Sequence, residues 1–116
     1  MTDVGTRKVY ENDRVVLWES FLEPGEKTKL HTHTRDYVFY VIEGSTLKVF
    51  DADGKEVVED PIATGQVMAL RLRGEELIVE GAEGLAVPAT HTAQNVGDTP
   101  YREIVVELKG PSSDKV

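Results

Sequence analysis

LHTHTRDYVFYVIEG, residues 30–44, sets the reading of the whole chain. Its second half, Tyr37 to Glu43, is a run of aromatic and β-branched residues, which favours a strand. Both faces of that strand are apolar: Tyr37, Phe39 and Val41 on one, Val38, Tyr40 and Ile42 on the other. A strand at a sheet's surface is apolar inside and polar outside, so something should cover the outer face, either the N-terminal strands or another subunit. The first half carries His31 and His33. Side chains at i and i+2 of a strand share a face, so the two imidazoles can converge. Such a pair is either a pair of exposed surface histidines or the start of a metal site.

Outward from this stretch the same grammar repeats. Short alternating or β-branched runs recur between Gly, Pro and Asp punctuation, with no helical periodicity over several turns. Strands are expected at 7–10, 14–22, 28–33, 37–43, 46–51, 55–59, 66–72, 76–80, 85–89, 91–96 and 101–108. Asp53-Gly54 suits a tight hairpin, and the segments EPGEK (23–27) and VGDTPY (96–101) read as turns. So many short strands leave edges exposed unless two sheets pack face to face, which predicts an all-β jelly roll. A chain of 116 residues accommodates one domain, 1–116, with a core over about 8–109 and a frayed tail at 110–116.

Composition narrows the function. Thirteen Lys and Arg against twenty-one Asp and Glu leave a net charge of -8, which repels nucleic acid and anionic lipid surfaces. With no cysteine there is neither a disulfide framework nor a thiolate ligand, so any metal must sit on His, carboxylate or Tyr. The opening residues carry no apolar signal core and no run is long enough to span a membrane, giving a cytoplasmic expectation. The third and last histidine, His91, follows Pro88 and opens a strand, where it could complete a facial set with His31 and His33.

PGEKTKLHTHTRDYVFYVIEG (24–44) resembles the first motif of the cupin superfamily, G-x5-H-x-H-x(3,4)-E-x6-G, with Gly25, His31, His33 and Gly44 in place. VPATHTAQN (87–95) resembles the second, G-x5-P-x-G-x2-H-x3-N, through Pro88, His91 and Asn95. Two departures stand out. Tyr37 occupies the position of the glutamate, and the second motif lacks its glycines and is two residues shorter between Pro and His; Gly81 and Gly84 both miss the leading place. The interval between the motifs suggests an extra hairpin around 71–77.

The resemblance implies a cupin-type barrel, the double-stranded β-helix, binding one divalent transition metal (Fe, Zn, Ni, Mn or Cu) through His31, His33 and His91. Three protein ligands leave open positions, as catalytic sites do. It implies a metal-dependent enzyme on a small organic molecule, with oxygenase (dioxygenase) chemistry ahead of isomerase, lyase or hydrolase chemistry. A non-catalytic cupin that binds or senses a small ligand is the alternative. Tyr37 is a candidate proton donor or ligand-orienting group. Arg35, Gln66, Met68 and Gln94 are candidates to line a substrate pocket. Asp36 has the wrong strand parity to replace the glutamate except through a bulge. Asn95 should tie down a turn or strand end. The doubly apolar strand and the segment 14–22 point to a homodimer.

Overall fold

The computed structural model describes residues 5–81 and 85–110. All but the first residue of the expected tail, and the glycine at 84, lie outside the described residues. Eleven strands follow in chain order: β1 (Arg7–Glu11), β2 (Val15–Leu22), β3 (His31–Thr32), β4 (Tyr37–Glu43), β5 (Ser45–Phe50), β6 (Glu56–Ile62), β7 (Val67–Arg73), β8 (Glu76–Val79), β9 (Ala86–Pro88), β10 (Thr90–Asn95) and β11 (Tyr101–Leu108). They form an antiparallel seven-stranded sheet, β1-β2-β11-β4-β7-β8-β9, and a four-stranded sheet, β3-β10-β5-β6. Among the described residues there is no helix, and none is therefore long and apolar enough to cross a membrane.

The two sheets enclose one interior. β2 shows strict alternation, with Val16, Trp18, Ser20 and Leu22 buried. Leu22, Val41 and Tyr101 of the larger sheet pack against Ile62 of the smaller one. Val41 and Leu77 are fully excluded from water, and burial on this scale contributes about 2 kcal/mol for each such side chain. The extra hairpin exists: β7 and β8 pair through Arg73 and Glu76, with Gly74 at positive φ in the turn. The hairpin at Asp53-Gly54 also forms, joining β5 to β6, with Gly54 at φ +83°.

Two expectations need correction. The strand expected at 28–33 shortens to His31–Thr32, because the approach to it is tied down residue by residue: Lys27 bridges Gln94, and Thr28 donates its amide to the Ala93 carbonyl. The N-terminal strands do not cover the outer face of β4. β2 pairs edge to edge with β11, and β1 with β2, so both extend the larger sheet instead of folding over it. Tyr40 and Ile42 consequently remain exposed.

Candidate metal centre and cavity

His31 and His91 face each other directly across the β3–β10 pairing, and His33 is brought beside them when its amide donates to the Ala89 carbonyl. All three are buried, and their ligand nitrogens lie within 4.8 Å of one another. The ring Nδ1 of His31 lies 2.8 Å from the Lys29 carbonyl and that of His91 lies 2.7 Å from the Pro88 carbonyl. A carbonyl only accepts, so each Nδ1 carries the proton and each Nε2 keeps its lone pair free. His33 differs: its Nδ1 is buried with no hydrogen-bond partner.

Burial depresses the basicity of all three rings. It lowers His31 against the opposing pull of the Lys29 carbonyl, brings His91 down to about 4, and sets His33 well below the usual value, with its two neighbours adding repulsion. At neutral pH the cluster is three neutral imidazoles, the state that binds metal. A metal would take one ring nitrogen of His33, use the two oriented lone pairs, and need no thiolate. The residues present therefore fit a divalent transition metal.

Tyr37, at the start of β4, stacks its ring on His33 with centroids 4.4 Å apart and planes 15° from parallel. Burial, then the carboxylates of Glu103 and Glu107, push its phenol well above the ordinary range, so it is a neutral hydroxyl. Asp36 stays out of the site: its carboxylate accepts from the Leu72 amide at 2.8 Å, linking β4 to β7.

The three histidines and Tyr37 open on a cavity of about 140 Å³ between the sheets, about the size that holds one benzene ring. Its walls are mainly apolar and include Met68. Arg35, Gln66 and Gln94 are not among its lining residues, correcting three expectations. Arg35 sits in the loop before β4, where strand alternation no longer dictates direction, and pairs at 3.6 Å with the buried Glu107. Gln66 caps the turn before β7 by accepting the Ala63 amide. Gln94, one residue out of phase with the inward His91, Ala93 and Asn95, donates to the Gly25 carbonyl. A more polar recess of about 380 Å³ shares Ser20, Leu22, Thr28 and His31 with the cavity and carries Lys27 and Lys29.

β11 supplies what the sequence reading missed. Tyr101, Glu103 and Val105 point into the cavity, and Tyr101 donates a short hydrogen bond to Glu103. Burial pushes the Glu103 carboxyl up to about 7, against the opposing pull of that bond. Glu107, on the same face, accepts from Trp18 Nε1 at 2.7 Å. The alternation of YREIVVEL was available as a signal, but it points the wrong way. One face is Tyr, Glu, Val, Glu and the other Arg, Ile, Val, Leu, and the chain turns the more acidic one inward.

This architecture is the cupin fold, the double-stranded β-helix, here with a buried three-histidine group and a tyrosine where the first motif carries its acid. Solved structures sharing the fold include a cupin domain from Bordetella pertussis Tohama I, 22% identical over 95% of this chain and 99% of that one at a TM-score of 0.64. An RmlC-like cupin with a double-stranded β-helix from Methanocaldococcus jannaschii is 15% identical over 93% and 84%, at 0.56. A polyketide cyclase from Streptomyces resistomycificus is 20% identical over 91% and 66%, at 0.54. No protein-family model and no curated protein sequence matches the chain.

Proposed function

We propose that the chain is a metal-dependent enzyme acting on one small organic molecule, with oxygenation as its reaction class. The observation that carries this reading is the convergence of three buried, neutral imidazoles at one end of an apolar cavity. His31, His33 and His91 would hold the metal, which when bound supplies a Lewis acid and, if redox-active, electron transfer. The remaining chemistry belongs to the chain. Apolar walls take up an organic ring and dioxygen readily and exclude water, which favours oxygenation over hydrolysis. A dioxygenation places both oxygen atoms in the organic product, so its electrons come from the substrate and no external reductant is required. Tyr37 stays protonated beside His33 and can donate a hydrogen bond or a proton to a bound molecule. Lys27 and Lys29 outnumber Glu26 in the adjoining recess and favour an anionic group at the histidine end. Two copies of the chain pair in this reading, through the outer face of the larger sheet.

Metal analysis of the purified protein, followed by oxygen uptake on a panel of small ring compounds, tests it. The wild type should carry about one equivalent of metal, which a His31→Ala/His33→Ala/His91→Ala variant loses while keeping its β-sheet circular dichroism. Equal metal content in the two would overturn the site. Full metal with no turnover of any compound would identify a ligand-binding protein instead.

A further inference from the structure

Inward residues of the two sheets align in layers across the cavity. On the smaller sheet His91 pairs with His31, and four residues further along β10 Asn95 pairs with Leu47, itself opposite Asp60. On the larger sheet Tyr37 stacks on His33, and four residues further along β4 Val41 pairs with Glu103. Four strand residues span about 13 Å. Glu103 and Asp60 therefore face the cavity from opposite sheets at the end remote from the histidines, with Phe39, Val49, Val105 and Met68 among the apolar residues between. These half-buried carboxylates line the same cavity that the metal reading needs. Half-buried acids facing an apolar cavity cost stability unless something uses them, and among the described residues Tyr101, on the same strand, is the hydrogen-bond partner shown for Glu103.

We propose that this second pole is the substrate's specificity anchor: Glu103, with Asp60 opposite and Tyr101 beside it, receives an amino or hydroxyl group at the end of the substrate remote from the metal. The substrate class is thus a single ring, or a molecule of that size, with a metal-binding group at one end and a hydrogen-bond donor or cation at the other. A second carboxylate at the far end is rejected by like charge. The proposal rests on the metal reading for the near end of the molecule only.

Two binding series at pH 8 test it. Zinc-loaded protein is titrated with benzohydroxamic acid and with its 4-aminomethyl and 4-carboxyl derivatives, which share the chelating end and differ at the other. Metal-free protein is titrated with benzylamine and benzoate. The aminomethyl probe should bind at least about tenfold more tightly than the carboxyl probe, and Glu103→Gln should abolish most of that ratio. Benzylamine should outbind benzoate in the same Glu103-dependent way. Should Glu103→Gln fail to fold, Asp60→Asn reads the same pole and should reduce the ratio. Equal binding of the amino and carboxyl probes, or a preference that survives Glu103→Gln, overturns the assignment. Loss of zinc binding with the benzylamine preference intact removes the metal reading and keeps this one; zinc binding with no amine preference does the reverse.

Discussion

Tyr37 replaces the acid of the first motif with a neutral phenol, and the consequence is one of charge. A glutamate beside three imidazoles would offset one positive charge of a divalent ion; the tyrosine leaves it, so an anionic group is held more strongly at the metal. The ring lies flat on His33, which fixes the imidazole by packing. Tyr37→Phe keeps that packing and should retain metal within about twofold, while changing substrate affinity or turnover. Tyr37→Glu should lower the melting temperature of the metal-free protein, because a carboxylate is buried there, and should tighten metal binding about tenfold or more. Thermal shifts with and without metal, alongside a chelator competition, measure both. Loss of metal in Tyr37→Phe would show that the phenol is itself a ligand.

At the scale of the elements, the two glycines of the first motif serve different ends. Gly25 has φ +89° with open space where a Cβ would stand, so its requirement is conformational. Gly44 is the single residue between β4 in the larger sheet and β5 in the smaller one, and a Cβ there would meet the Ile62 carbonyl at 2.2 Å and the Thr64 amide at 2.6 Å. Its requirement is the close approach of two backbones at the sheet-to-sheet corner. Gly44→Ala should cost about 2–3 kcal/mol, against about 1 kcal/mol for Gly25→Ala, as read by urea unfolding; a reversed order would contradict this account. The motif shows that the glycines are present, but only the fold separates their reasons. Strand positions were legible because turn residues and alternation are local. The full span of β4 and β11 follows directly from them, while the hairpin around 71–77 was legible from the interval between the motifs. The facing of β11 was not legible, since turning Glu103 and Glu107 inward defies the hydrophobic pattern and is compensated, among the described residues, by Trp18, Arg35 and Tyr101, residues distant in sequence or turned by the fold. The histidine cluster was legible through its spacing, whereas Arg35 was placed in the pocket by a strand parity that does not extend into its loop, and Gln66 and Gln94 by analogy with the fold, which does not fix the facing of a turn residue or of an out-of-phase strand position.

The inward turn of β11's acids has a counterpart on the outside of the molecule. Ile104 and Val106 face outward, and Tyr40 lies in register between Ile104 of β11 and Val67 of β7, so the outer face of the larger sheet carries an apolar patch, bordered by Glu19 opposite Ile104. Tyr40 is 50% exposed and Val67 60%, at the centre of a sheet where solvent-facing positions are ordinarily polar. Since β1 and β2 lie beside this surface and leave it open, a second copy of the chain is the occupant that would present the same apolar face in return. A dimer of ordinary size buries about 800 Å² on each copy, more than three strands offer at about 4.8 Å apiece, so the contact would reach beyond β11, β4 and β7. Light scattering at micromolar concentration should give twice the chain mass of 12.9 kDa. Tyr40→Lys/Val67→Lys should give a monomer with unchanged metal content, because both side chains point away from the cavity. A wild-type mass of one chain would exclude the pairing, and a double variant that stays dimeric would move the interface to another face.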